Sequence, residues 1–353
     1  MRALVSHPGR AGTTGVEDVP AGPEEGTVPV RTLEVGVCGT DREIADGLFG
    51  APPAGEERLV VGHELLGIVE QDVPGFARGD LVTATVRRSC GHCGPCLAGA
   101  PDACASGDYR ERGIMRLHGF ARDVVHEHPE HLVRVPRSLG RLGVLAEPAS
   151  ICARGIRHAM AIGGRQPWSP ERALVLGAGA IGMISTTFLR LAGLEVWAAA
   201  REPADAPVAG LVRDLGASYA SVEEVPLAEL RAAVGGFDLV VEATVDAQAK
   251  VDAVGMLRRG GVACLLGIDG RPGAVGLERR LIGVDVVLEN RAVFGSVNAN
   301  RVDWLAGVDE LERARRRWPE ALERFVGLRV PLERWEEAFA HRGVKATLVF
   351  EEA

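Results

Sequence analysis

The stretch Arg172-Ala-Leu-Val-Leu-Gly-Ala-Gly-Ala-Ile-Gly182 decides the fold. An apolar β-type run, Arg172 to Leu176, leads directly into Gly-x-Gly-x-x-Gly, and from Ile181 to Ala192 the pattern is helical. Strand, tight glycine turn and helix in that order open a dinucleotide-binding βαβ unit. Gly177 serves the tight turn, Gly179 lets a pyrophosphate approach the backbone, and Gly182 lets the helix pack close to the strand. The phosphates would rest on the amides at the helix N-terminus, around Ala180 and Ile181. Binders of NAD usually carry Asp or Glu about twenty residues after the glycines, against the ribose 2′-hydroxyl. Here the next strand, Leu194 to Ala200, ends in three alanines followed by Arg201. Alanine leaves room for a 2′-phosphate and Arg201 can pair with it, so NADP is the expected cofactor, with NAD possible.

Working outward, Asp238–Ala243, Gly261–Gly267 and Ala292–Val297 read as further strands of a doubly wound parallel sheet. The first 150 residues have another texture. Val28–Val35, Leu59–Val61, Leu65–Glu70, Asp80–Val86 and His131–Val135 are short β-type runs, and Pro20, Pro23, Pro52, Pro53 and Pro74 punctuate the loops. Such spacing suggests a compact barrel or sandwich. Ala149–Ala161 and Val302–Arg317 read as helices and 346–351 as a last strand. The expected α/β architecture is therefore a β-barrel catalytic domain, residues 1–155 and 300–353, with a dinucleotide domain, residues 156–299, inserted between its halves. A chain of 353 residues suits two domains.

The formal charge of −8 argues against nucleic acid or an anionic membrane as partner. No run approaches the ~20 apolar residues of a membrane span, and the start lacks a signal-peptide core, so a cytoplasmic protein is expected. The one basic run, Arg313-Ala-Arg-Arg-Arg-Trp, reads as a solvated helix end. Only Lys250 and Lys345 are lysines.

Of seven cysteines, Cys90, Cys93, Cys96 and Cys104 fall within fifteen residues, in a lobe spanning 88–106. A disulfide set suits a chain of this size poorly. An iron–sulfur site would be expected to bring a fourth Cys-Pro and a second motif. Four thiolates around a structural zinc fit best, and although His92 lies inside the knuckle, the cysteines already fill the shell. Cys152 and Cys264 read as core. Three other features converge: Cys38 in Val37-Cys-Gly-Thr-Asp41, His63 and Glu64 in Val61-Gly-His-Glu-Leu65, and Glu147 in Leu145-Ala-Glu-Pro148. Cysteine, histidine and carboxylate suit a second Zn²⁺ that keeps an open position.

With these motifs the sequence resembles, over essentially its full length, the zinc-dependent medium-chain alcohol dehydrogenases. Within them it is most similar to the glucose dehydrogenase branch. The specific likenesses are Gly36-Val-Cys-Gly-Thr-Asp-Arg-Glu-Ile-Ala-Asp-Gly47, Arg87-Arg-Ser-Cys-Gly, Gly113-Ile-Met-Arg-Leu-His-Gly-Phe120, Ala200-Arg-Glu-Pro203 and Phe294-Gly-Ser-Val-Asn298. The resemblance implies a GroES-like barrel joined to a Rossmann domain, with two zinc ions per subunit. It implies that Cys38, His63 and an acid, Glu64 or Glu147, hold the catalytic zinc, and that Thr40 hydrogen-bonds the reacting oxygen. Glu111 and Asn298 match positions near the substrate; Leu266-Gly267-Ile268 and Ser296-Val297 match segments lining the nicotinamide, with Asn298 beside them. Hydride would pass from a sugar or alcohol hydroxyl to NAD(P), most simply from an aldose, giving a lactone, in a homodimer or homotetramer.

Val86, Ile151 and Leu288 are apolar where sugar-oxidising members often carry polar groups, and His118 stands where Asp is common. Each unmatched sugar hydroxyl costs desolvation. A polyol, an amino alcohol or a biosynthetic alcohol therefore remains an alternative substrate. A non-catalytic NADPH-binding protein is the more distant reading.

Overall fold

The computed structural model describes residues 1–20, 22 and 25–350; Pro23 and Glu351, assigned above to a loop and to the last strand, lie outside them. The chain forms two compact units. One comprises Met1–Glu147, Asn298–Glu312 and Val326–Ala353, the other Pro148–Val297 and Arg313–Phe325.

The first unit is built on strand Val28–Val37, which pairs antiparallel with Glu64–Val69, Lys345–Val349 and Val124–Glu127. Leu81–Ala84 and Leu132–Arg134 extend the sheet on one side, and Val326–Pro331 on the other. Up to Glu34, alternate residues of Val28–Val37 are buried; from Glu34 to Val37 every residue is. The change of phase coincides with a register shift between Thr32 and Glu34, where an extra residue bends the strand. Val28, Val30, Val35, Leu65, Val69, Val82, Phe120, Leu132 and Leu348 meet in one core. A smaller sheet of Arg87–Arg88, Arg110–Arg112 and Arg116–Leu117 lies in the same unit.

The second unit is a six-stranded parallel sheet in the order Ser218–Ser221, Glu195–Ala200, Arg172–Leu176, Phe237–Glu242, Leu257–Leu265, Ala292–Gly295. In chain order this is 3-2-1-4-5-6. The winding reverses between Arg172–Leu176 and Phe237–Glu242, and ligands of such sheets bind outside the carboxyl ends at that point. Gly177 follows directly there.

The structure moves the sequence-derived boundaries. Residues 148–155 belong with the sheet unit because helix Ala146–Gly163 is continuous and only its first two residues count with the barrel. Arg313–Phe325 also joins the sheet unit, where Arg324 reaches Asp214. Strand Ser218–Ser221 was not anticipated. Among the described residues no helix is long and apolar enough to cross a membrane.

Candidate active site and metal centres

In the barrel unit, Cys38 caps helix Gly39–Ala45. Its Sγ accepts from the Thr40 amide at 3.3 Å, and its own amide donates to Asp41 Oδ2 at 2.9 Å. This reciprocal cap holds the sulfur in place before any ligand arrives. His63 enters through Gly62, whose φ of +87° and close approach to Val35 and Ala121 leave no space for a side chain. The imidazole Nε2 lies 3.1 Å from Cys38 Sγ, and Nδ1 lies 3.4 Å from Asp41 Oδ1. A carboxylate facing one ring nitrogen favours the N–H there and leaves the other nitrogen for a metal.

Glu64 begins strand Glu64–Val69 opposite Gly36, where a Cβ would stand 1.9 Å from the Glu64 carboxylate. Lys345 Nζ donates to both carboxylate oxygens, at 2.6 and 2.7 Å, and to the Val37 carbonyl at 3.3 Å. Cys38, Asp41 and His63 offer donor atoms within 4.8 Å of one another, as do His63, Glu64 and Glu147.

The charges are strongly coupled. Burial alone would lower the His63 pKa, but Cys38 and Asp41 outweigh it and hold it well above 6.5. Burial would raise Asp41, yet His63 keeps it low. Burial would likewise depress Lys345, and Glu64 with Cys38 raises it. The Glu147 carboxyl is pushed up to about 7, first by burial and then by Glu64 and Asp41, against His63 and Lys345. A cation placed here would relieve this carboxylate-rich set.

The other expected residues fall as follows. Thr40 is half-buried and its hydroxyl makes no hydrogen bond among the described residues. Glu111 is buried, and its Oε1 accepts from Arg87 at 3.0 and 3.1 Å. Asn298 has a φ of +61° and a buried Nδ2 without a partner.

The four lobe cysteines gather their sulfurs within 4.8 Å, with pairs at 3.4, 3.9 and 3.9 Å. Tetrahedral Zn–S bonds of about 2.3 Å would set sulfurs about 3.8 Å apart, so the donor set fits the ion. A disulfide would bring two of them to about 2.05 Å. His92 turns away, with Nδ1 at 2.9 Å from the Cys90 carbonyl. Cys152 and Cys264 are both buried in the sheet unit.

In that unit Gly177 has a φ of +104°, and a Cβ would meet the Ala243 carbonyl oxygen at 2.9 Å. Gly179 caps helix Ala180–Leu191 and opens onto free space, whereas a Cβ on Gly182 would stand 2.0 Å from the Gly177 oxygen. Arg201 is exposed and unpaired among the described residues. Leu266 and Gly267 donate their amides to the Glu242 carbonyl, and Ser296 donates to that of Leu265. Ile268 and Val297 expose their side chains at the carboxyl ends of their strands.

Comparison with known proteins finds relatives along nearly the whole chain. The family described as "Glucose dehydrogenase C-terminus" matches residues 140–350, and "Alcohol dehydrogenase GroES-like domain" matches residues 24–137. The glucose 1-dehydrogenase of Methanocella arvoryzae is 42% identical over 96% of this chain and 95% of its own length. The chain belongs to the glucose dehydrogenase family. Another relative, the glucose 1-dehydrogenase of Thermoproteus tenax, is 37% identical over 99% of both chains. Among solved structures, glucose dehydrogenase of Haloferax mediterranei in complex with NADP, Zn and gluconolactone superposes with a TM-score of 0.91, at 31% identity and full coverage of both chains.

For this member of the glucose dehydrogenase family, sequence reasoning overlooked Asp41 and Lys345. Asp41 stood in plain view at the end of Cys38-Gly-Thr-Asp. Lys345 carried one signal, its rarity in a chain with two lysines.

Proposed function

We propose that this dehydrogenase oxidises the anomeric hydroxyl of an aldose, glucose first among them, to the lactone, using zinc and preferring NADP over NAD. The observation that carries the reading is that two sets of donor atoms, Cys38 with Asp41 and Glu64 with Glu147, each lie within 4.8 Å of His63, with Lys345 holding Glu64. Cys38 and His63 would hold the metal. Lys345 occupies both Glu64 oxygens, which favours Glu147 as the carboxylate donor. Zinc in such a site supplies Lewis acidity that lowers the pKa of a hydroxyl, and the nicotinamide supplies the hydride acceptor.

The chain's own groups do the rest. The Thr40 hydroxyl relays the proton that leaves the substrate hydroxyl, taking it up as it passes its own to the cofactor ribose or to water. Asn298, and Glu111 through the oxygen Arg87 leaves unused, orient the other sugar hydroxyls. The amides around Gly179, Ala180 and Ile181 take the pyrophosphate and Arg201 the 2′-phosphate, while Leu266–Ile268 and Ser296–Val297 line the nicotinamide. Buried Val86 and half-buried Ile151 favour a second reading, a less hydroxylated alcohol.

Strand Ala292–Gly295 is a sheet edge near exposed Val287 and Leu288, which suits a homodimer or homotetramer.

Initial rates across aldoses, polyols and simple alcohols, with NADP⁺ and NAD⁺ side by side, test the proposal. Aldoses with NADP⁺ should lead. Cys38→Ala and His63→Ala should abolish turnover, and Arg201→Ala should erase the preference for NADP⁺. Full activity in either ligand variant would overturn the site, and indifference to aldoses would overturn the substrate.

A further inference from the structure

Arg87 and Glu111 stand directly opposite each other in the antiparallel pairing of Arg87–Arg88 with Arg110–Arg112. Alternation along the two strands sends their neighbours the other way. Arg88 and Arg112 both donate to the fully buried Glu127 carboxylate, at 2.5 and 3.0 Å, which anchors the pairing in the barrel. Arg87 and Glu111 are left on the opposite face, with side chains only 13% and 11% exposed. The turn after Glu111 is packed on the peptide that delivers His63: a Cβ on Gly113 would stand 2.3 Å from the Gly62 oxygen.

The Arg87 guanidinium is held from three directions. Nε and Nη2 donate to Glu111 Oε1 at 3.1 and 3.0 Å, and Nη1 donates to the Asp102 carbonyl at 2.9 Å. The central carbon lies 3.9 Å from the centre of the Tyr109 ring. Asp102 belongs to the turn Pro101–Ala103 that leads into Cys104, and Arg87 stands just before Cys90, where Ser89 donates to the Pro101 carbonyl. The arginine thus closes the four-cysteine lobe at its base and holds Glu111 from there. Its planar fork spends two donors on one carboxylate oxygen. No other hydrogen bond reaches that carboxylate among the described residues, so Oε2 is fixed in direction and free to accept.

We propose that Arg87 is a positioning residue for sugar binding: it fixes Glu111 with Oε2 directed at a substrate hydroxyl, and takes its own place from the base of the cysteine lobe. This rests on the reading above that Glu111 meets the sugar. Without Arg87 the Glu111 side chain would turn among its rotamers, and each binding event would have to order it again.

Initial rates of the zinc-loaded enzyme across glucose concentrations, at saturating NADP⁺, test the proposal in Arg87→Met, Arg87→Lys, Glu111→Ala and Arg87→Met/Glu111→Ala. Arg87→Met should raise the glucose KM about three- to tenfold, the cost of ordering one freed side chain, with little change in kcat or in the KM for NADP⁺. Arg87→Lys keeps the charge without the fork and should recover part of that loss. Glu111→Ala should raise the glucose KM at least tenfold, the scale of a lost hydrogen bond to a charged group. The double variant should match Glu111→Ala, because Arg87 acts only through Glu111. An unchanged KM in Arg87→Met beside a raised one in Glu111→Ala would overturn the positioning role. So would losses that add in the double variant, the mark of a general structural defect. An unchanged KM in Glu111→Ala would instead overturn the sugar contact and the proposal with it, and the parent's own turnover of glucose tests the substrate reading separately.

Discussion

Replacing Lys345 by Met should be among the most damaging single changes in the barrel. The Lys345 and Glu64 side chains are each 2% exposed, and the ammonium meets both carboxylate oxygens. Met keeps the length and apolar character of the stem and removes only the charge and its donors. Glu64 would then be a buried carboxylate without its counter-ion, a state that costs about 3–5 kcal/mol. For a unit of this size each kcal/mol shifts the midpoint by roughly 2–4 °C, so the barrel transition should fall by roughly 6–20 °C. The Lys345 pKa is raised above 10.5, so the pair's contribution is fully present below that value and intact at neutral pH.

The assay is calorimetry at pH 7 on zinc-loaded and on chelated protein, for Lys345→Met and for Glu64→Gln/Lys345→Met. The double variant removes the stranded charge and should recover all but about 1 kcal/mol of the loss. The zinc-loaded single variant should lose less than the chelated one if the metal partly replaces the missing ammonium. A single variant within about 1 kcal/mol of the parent would refute the electrostatic account. So would a double variant as unstable as the single one, because packing rather than charge would then be the cause.

Gly182→Ala should weaken NADP⁺ binding and cost about 1–3 kcal/mol, because its Cβ would meet backbone rather than a movable side chain; a fluorescence titration with unchanged affinity would contradict this. Cys96→Ser should lower bound zinc from two ions per chain to one by atomic absorption and reduce the melting temperature, while Cys38→Ala loses the other ion. His131 is held down to about 4, first by burial and then by Arg88, against an ordinary 6.5. The unfolded chain therefore binds more protons between those values, and stability should fall as pH drops from about 6.5 towards 4; His131→Leu should flatten that slope in urea melts. His63 must shed its proton to ligate, so zinc affinity at the catalytic site should fall as pH falls, with proton release on binding measurable by titration in two buffers.

What could be read from the sequence divides by distance along the chain. The glycine turn, the four-cysteine lobe and the Cys38-Gly-Thr-Asp motif are local: their residues lie within a few positions of one another, although the cap that Cys38 and Asp41 form was seen only in the structure. The doubly wound parallel sheet followed from strand and helix alternation, because parallel strands need crossover connections that helices supply; its strand order came from the structure. Ser218–Ser221 escaped since two serines in four residues give no β-type pattern, and its place comes from pairing with Trp197–Ala200. The partnership of Lys345 with Glu64 spans 281 positions, and no local pattern could announce it. Glu111 shows the converse limit. Its position suggests a sugar contact, but folding sets it against Arg87, and one of its oxygens is spent before substrate arrives. Charges in this chain are thus assigned by long-range closure of the barrel, so the sequence reveals which residues can do chemistry sooner than it reveals which are already engaged. Lys345 and Asp41 follow from that closure: each neutralises or orients a candidate ligand from outside its motif. A change to either should therefore alter metal affinity and its pH dependence before it alters anything a motif search could detect.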